Sequence, residues 1–253
     1  MFSPDALADR VILVTGASRG IGAAIAVACA EAGASIAVGY LEDTDGADAT
    51  VGAIRACGRE AEAFPADVRD ESQVNEMVEA VLARFGKIDG LVNNAGVIAQ
   101  SQVVDTTVDE WKHVIDVDLT GSFLFSRAVL PGMLERGSGS IVMIASRLGQ
   151  IGFAGVAHYA AAKAGVLGFA KSLAKEVGPG GVRVNSVAPG VTITDMGAEV
   201  MDGEVGRRRL AELPAGRFAT AAEVAASVVF LLTDAASLYH GQTLCPNGGG
   251  HMP

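Results

Sequence analysis

The sequence predicts an α/β fold, a doubly wound parallel sheet with helices on both faces. Three observations carry this. Short runs that are apolar throughout alternate with longer segments of helical period. A strand apolar at every position is buried on both sides, as in a parallel sheet between two helical layers. No linker rich in Pro, Gly or Ser and no repeat divides the 253 residues, so one domain over 1–253 is expected.

The elements follow in order. VILVTG (11–16) is the first strand, and IGAAIAVACAEAG (21–33) is a helix stopped by Gly33. SIAVGY (35–40) is the second strand, and a helix over 45–57 ends before Gly58. EAEAFPAD (60–67) supplies a short strand, and ESQVNEMVEAVLARFG (71–86) is an amphipathic helix closing on Gly86. KIDGLVNNAG (87–96) is a strand that ends in a polar turn. A long helical region over 107–136 is expected to bend or break around Pro131. Strands at 139–146 and 181–190, helices at 156–177 and 220–233, and a last short strand in 241–250 complete the alternation. Right-handed crossovers between such strands give a Rossmann-type sheet. Residues 191–216 fit the rhythm least and follow a strand's carboxyl end, which suggests a substrate loop or lid.

Composition narrows the function. Half the residues are hydrophobic and the formal charge is −10. An acidic chain without a long basic patch does not suit nucleic acid. The one basic run, Arg207–Arg209, reads as a solvated helix face. Cys29, Cys57 and Cys245 are far apart and form no CxxC, which fits a reducing compartment. The four histidines have no zinc-ligand spacing. No signal core and no apolar run of transmembrane length is seen, so a cytoplasmic protein without membrane or nucleic-acid partners is expected.

TGASRGIG (15–22) joins the first strand to the first helix. Its glycines let the backbone approach a pyrophosphate, and the helix N-terminus supplies N–H donors. The second strand ends in Tyr40 and Leu41, with no carboxylate placed for the ribose hydroxyls of NAD. Arg19, inside the loop, suits a 2′-phosphate. The choice tilts to NADP, with Glu42 and Asp43 nearby as opposing charges that keep NAD open. Tyr159 and Lys163 in HYAAAK (158–163) stand one helical turn apart. An ammonium beneath a phenol favours the phenolate and makes an acid/base usable near neutral pH.

TGASRGIG (15–22), NNAG (93–96), Ser146, YAAAK (159–163) and APG (188–190) together resemble the short-chain dehydrogenase/reductase family, in order and over essentially the whole chain. Within it the chain looks most like the branch of 3-oxoacyl-carrier-protein and related carbonyl reductases. The resemblance implies roles. Gly16, Ser18, Arg19, Gly20, Ile21 and Gly22 would hold the pyrophosphate end, with Tyr40 beside the adenosine. Asp67 and Val68 would contact the adenine. Asn94, Ala95 and Gly96 would line the adenosine side and brace the central strand. Tyr159 would be the proton donor or acceptor, with Lys163 on the nicotinamide ribose and Ser146 on the substrate oxygen. Pro189, Gly190, Thr192 and Thr194 would border the nicotinamide amide. Arg147, Gln150, Phe153, His158 and Met196 would line a partly apolar substrate pocket. Alanines 160–162 would leave room for the ribose.

One position departs from the family. In DVDLTG (116–121), Asp118 stands where the family usually has an asparagine that helps position a relay water. A carboxylate there favours the Lys163 ammonium and opposes phenolate formation at Tyr159. Two functional classes follow. One is an NADP-preferring oxidoreductase of ketones, aldehydes or 3-oxoacyl groups, reversible with an alcohol; an NAD-dependent alcohol dehydrogenase is its variant. The other is a nucleotide-binding sensor or scaffold with weak turnover, which Asp118 alone favours. The family implies a homo-oligomer, tetramer or dimer, and the Ala/Gly-rich helix 156–177 suits a close helix–helix contact.

Overall fold

The computed structural model describes residues 2–198, 201 and 203–253. The chain runs β1 (Val11–Val14), α1 (Gly20–Glu31), β2 (Ser35–Tyr40), α2 (Thr44–Ala56), β3 (Ala61–Pro65), α3 (Glu71–Phe85) and β4 (Gly90–Asn93). Then come α4 (Val108–Ile115), a π-helical turn (Asp116–Thr120), α5 (Gly121–Arg136), β5 (Gly139–Ile144), α6 (Leu148–Ile151), α7 (Ala157–Val177) and β6 (Val182–Val187). β7 (Thr192–Ile193), α8 (Asp195–Ala198), α9 (Gly203–Ala211), β8 (Ala219–Thr220), α10 (Ala221–Leu232) and β9 (Thr243–Leu244) complete it.

Seven strands form one parallel sheet in the order β3-β2-β1-β4-β5-β6-β9. The order reverses between β1 and β4, which opens a crevice at the strands' carboxyl ends. All four residues of β1 are buried, as its apolar run requires. Side chains alternate between two cores. Ile12 and Val14 pack with Ile25, Cys29 and Val228 under α1 and α10. Leu13 joins Leu91, Val78, Phe125 and Val166 under α3, α5 and α7.

Helix ends follow their cap residues. Asp70 accepts from the N–H of Ser72 and Gln73 at the start of α3, and Gly86 closes it in the left-handed region. Thr220 and Glu223 form a capping box on α10.

The long helical region breaks at the π-helical turn 116–120 and not at Pro131, which lies inside α5. Pro131 and Arg127, one turn before it, are exposed, so the carbonyl left without a partner meets water. The segment 191–216 is not a bare loop. β7 pairs with β8, and α8 and α9 follow β7. Of the expected lid, residues 199, 200 and 202 lie outside the described residues.

Candidate active site

A cavity of about 800 Å³ opens at the carboxyl ends of the strands, beside the reversal of strand order. The glycine loop between β1 and α1 forms one wall. Gly16 and Gly20 have φ of +61° and +60°, a region that favours glycine. A Cβ on Gly16 would lie 2.9 Å from Ala95 Cα, and one on Gly22 would run into the Gly16 carbonyl. At Gly20 the nearest atom to such a Cβ is Thr194 Cγ2, 3.6 Å away. The loop is therefore packed tightly from behind and open toward the cavity, a cradle suited to a diphosphate at the N-terminus of α1.

The loop is held from β4. The backbone N–H groups of Asn94 and Ala95 each donate to Thr15 Oγ1 at 3.0 Å. Asn94 Nδ2 donates to the carbonyls of Thr15 and Gly16 at 2.9 and 3.0 Å. Ser18, Arg19, Ile21, Tyr40, Asp67 and Val68 line the same wall. Asp67 is held by Arg69 at 2.5 Å, and that guanidinium keeps its carboxyl below the usual carboxylate range. Asp43 also lines the wall, but its carboxylate caps α2 by accepting from Gly46 N–H at 3.1 Å. Arg19 is exposed and makes no ion pair among the described residues.

Ser146, Tyr159 and Lys163 meet on the facing wall, with Gly96 and Asp118 behind them. Ser146 follows β5, and its Oγ accepts from Leu148 N–H at 3.1 Å. Lys163 lies one turn beyond Tyr159 on α7, with Nζ 5.6 Å from the phenol ring centre. That Nζ donates to the Ile144 carbonyl at 3.0 Å and pairs with Asp118 Oδ2 at 3.1 Å. Asp118 is wholly buried (0%) on the π-helical turn, and its Oδ1 accepts from Val97 N–H at 2.8 Å. The extra residue per turn in a π segment is a common way to aim a side chain at a site.

Electrostatics here differ from the simple phenol-over-ammonium expectation. Tyr159 is pushed above a phenol's ordinary value, by burial first. Lys163 pulls it down, Asp118 pushes it up, and Ser146 lowers it slightly. Burial alone would lower Lys163, but Asp118 and Tyr159 together more than reverse this and the ammonium is favoured. Lys163 therefore does pull the phenol down as expected, Asp118 offsets part of that pull, and burial outweighs it, so the net shift of Tyr159 is upward and the phenol stays protonated at neutral pH.

Pro189, Gly190, Thr192 and Thr194 line the cavity between the two walls. Of the expected pocket residues, Arg147, Phe153 and Met196 line it as well. Two do not. His158 turns into the protein at 1% exposure, with Nε2 3.8 Å from Glu110. Gln150 turns toward Cys245, with Nε2 3.6 Å from its Sγ. One residue apart from Tyr159 on a helix, His158 necessarily points elsewhere. The alanines 160–162 also leave the cavity: Ala162 is core and Ala161 faces outward. Close approach comes instead from Gly149, where a Cβ would lie 2.7 Å from the Lys163 backbone, and from Gly96, where it would lie 2.9 Å from Asp118.

Arg209 lines the cavity too, contrary to the reading of 207–209 as a solvated face. Arg207 and Arg208 are exposed, but Arg209 turns inward with Cζ 4.4 Å over the Phe153 ring. Its signal in the sequence was only the helical rotation of 100° per residue, which separates neighbours in any run.

Comparison with known proteins places this geometry. The model of the Enoyl-(Acyl carrier protein) reductase family matches residues 16–251. The chain is 44% identical over 245 residues to a 3-oxoacyl-[acyl-carrier-protein] reductase of Synechocystis sp., covering 96% of this chain and 98% of that protein. It is 40% identical over 240 residues to the reductase FabG of Staphylococcus aureus, covering 95% and 97%. A solved structure from Beutenbergia cavernae, provisionally described as an NAD(P)-dependent gluconate 5-dehydrogenase with bound NADP, superposes with a TM-score of 0.93 at 40% identity over 98% and 99% of the chains. A second, from Agrobacterium tumefaciens and provisionally described as a gluconate dehydrogenase, gives 0.94 at 35% identity over 98% of each chain.

Proposed function

The chain belongs to the short-chain dehydrogenase/reductase family, and from that premise we propose that it is an oxidoreductase moving a hydride between NADPH and a carbonyl or 3-oxoacyl compound, reversibly with the secondary alcohol. The observation that carries this is the convergence of Ser146, Tyr159 and Lys163 on a cavity whose opposite wall is the glycine loop.

A bound reduced nicotinamide supplies the hydride. Gly16, Ser18, Gly20, Ile21 and Gly22 would hold the diphosphate, and Arg19 the 2′-phosphate. Tyr40, Asp67, Val68, Asn94, Ala95 and Gly96 would take the adenosine side. Tyr159 and Lys163 would hold the nicotinamide ribose, and Pro189, Gly190, Thr192 and Thr194 the amide. In reduction Tyr159, kept as a phenol by burial, gives its proton to the carbonyl oxygen. Ser146 donates to the same oxygen as charge develops there. Lys163 keeps a positive charge behind the phenol because Asp118 neutralises the cost of burying it.

The test is consumption of NADPH and NADH with a panel of ketones, aldehydes and 3-oxoacyl thioesters. Turnover should favour NADPH and fall about 10²–10⁴-fold in Tyr159→Phe. Turnover that survives Tyr159→Phe would remove Tyr159 from the chemistry. A second reading, a nucleotide-binding sensor with weak turnover, has the buried Asp118 carboxylate in its favour; nucleotide binding with no turnover across the panel would select it.

A homo-oligomer in the cytoplasm belongs to the same reading. Trp111 and Phe123 are large apolar side chains left exposed on α4 and α5. Ala161, Ala164 and Gly168 face outward on α7, and nothing lies within 4 Å of a Cβ on Gly168. The three cysteines are free. Light scattering after gel filtration gives the oligomeric state directly.

A further inference from the structure

We propose that the substrate carries an oxyanion, a carboxylate or a phosphate ester, received by Arg147 and Arg209 at the Ser146 end of the cavity. The proposal deepens the carbonyl-reductase reading and rests on it.

Arg147 directly follows Ser146, and its side chain lines the cavity although it is only 7% exposed. Its Nη1 donates to the Gly250 carbonyl at 3.1 Å, the one side-chain hydrogen bond it makes among the described residues. A guanidinium has five N–H donors, so most of this buried fork is unspent. The C-terminal segment holds the fork in place. A Cβ on Gly250 would run into Arg147 Nη1 and lie 2.7 Å from Leu213 Cδ2.

Arg209 reaches the same end from α9. Its guanidinium lies over Phe153, and its Nε is buried with no hydrogen-bond partner among the described residues. Stacking on a ring leaves the guanidinium edge free to grip an oxyanion with two parallel bonds. Both arginines line the same cavity, and there burial first and Arg147 second oppose the charge on Arg209. Two cations brought together and desolvated cost free energy unless an anion joins them.

The protein supplies no such anion among the described residues. Asp118 is paired with Lys163, Asp67 with Arg69, and Asp43 caps α2. Glu212 acts on Arg209 but pairs with Arg208 at 3.7 Å. Glu42 and Asp195 also line the cavity, are exposed, and pair with neither arginine. Ser146 and Arg147 both line the cavity after β5, whereas Arg19 lines it from the glycine loop. A neutral acyl chain would offer Arg209 Nε, buried and unpartnered among the described residues, no acceptor.

The experiment compares matched probes in the NADPH-dependent reaction: acetoacetate against its methyl ester, 4-oxopentanoate against its methyl ester, and dihydroxyacetone phosphate against dihydroxyacetone. In parallel, calorimetry measures binding of 3-hydroxybutyrate, its methyl ester and glycerol 3-phosphate to the NADP⁺-loaded protein. At least one anion should exceed its neutral partner by about tenfold in kcat/KM or in affinity. Which pair responds separates carboxylate from phosphate. In Arg209→Gln that ratio should collapse toward one, and Arg209→Lys should restore part of it, since charge returns without the fork. Arg147→Gln is the second variant, read only if its melting curve remains cooperative.

Equal use and equal binding of every anion and its neutral partner would overturn the proposal while leaving the reductase reading intact. A defect in Arg209→Gln confined to NADPH affinity would also overturn it, assigning the arginine to the cofactor. Charge-selective binding with no turnover of any probe would support the anion site and count against the reductase reading.

Discussion

At Asp118 one carboxylate oxygen changes the meaning of the Tyr159–Lys163 spacing. Asp118, 3.1 Å from Lys163 Nζ, offsets part of the pull of the ammonium on the phenol, and burial leaves Tyr159 shifted upward. Reduction needs the protonated phenol and should stay level from neutral pH until the phenol titrates. Oxidation of the alcohol needs the phenolate and should rise with pH through the alkaline range. Asp118→Asn removes a contribution that raises Tyr159, so its alkaline limb should move to lower pH. Superimposable pH–rate profiles would take Asp118 out of the proton chemistry. The same pair carries stability. Removing either partner leaves an uncompensated buried charge, at a cost of about 3–5 kcal/mol. The double replacement Asp118→Leu with Lys163→Met should cost much less than the two singles together, measured by denaturant melts. The spacing of Tyr159, Lys163 and Ser146 was legible in the sequence because a helix and a strand end fix where such side chains point. The sign of the Tyr159 shift was not, because it depends on burial and on a carboxylate 41 residues away along the chain, brought in by the π-helical turn.

Elements were legible wherever local chemistry set their ends. β2 occupies the expected 35–40, between Gly33 and a polar turn, and α3 stops at Gly86. The π-helical turn was hidden, since no residue in DVDLT forbids an ordinary α-helix, and the visible breaker, Pro131, sits on a solvated face that tolerates it. Arg209 was missed for a related reason: the face that α9 turns inward is set by packing on Phe153 and not by its polar sequence. Helical glycines give a paired prediction. Gly22 in α1 has no room for a Cβ against the Gly16 carbonyl and Asn94, so Gly22→Ala should destabilise the protein by about 1–3 kcal/mol and weaken nucleotide binding. Gly52 in α2 is exposed with nothing within 4 Å, so Gly52→Ala should stabilise by about 0.5–1 kcal/mol. Thermal melts of both variants separate a glycine needed for close approach from one that is only a weak helix former. A neutral Gly22→Ala would mean that the loop can retreat from α1.

Over the whole molecule, the cavity is bordered by the glycine loop and β2 on one side of the strand reversal and by β5, α7 and the segment after β6 on the other, so a bound nucleotide would join both halves of the sheet. A ligand that binds only the folded chain stabilises it by RT ln(1 + [L]/Kd), about 2.7 kcal/mol at a hundredfold excess over Kd. For a chain of this size that raises Tm by roughly 5–10 °C. The molecule carries a formal charge of −10, which repels an extra phosphate at long range, so any preference for NADPH must come from short-range contacts. Arg19 is the exposed cation of the glycine loop, whereas Asp43 is spent on capping α2. NADPH should therefore raise Tm more than NADH at equal concentration. The difference should shrink in high salt, where an exposed guanidinium–phosphate pair is screened, and vanish in Arg19→Gln. Equal shifts from the two cofactors in wild-type protein would transfer the choice to Glu42 and against the 2′-phosphate. A difference that survives Arg19→Gln would place the phosphate contact elsewhere on the same wall, with Arg69, 2.5 Å from Asp67, as the next guanidinium to replace.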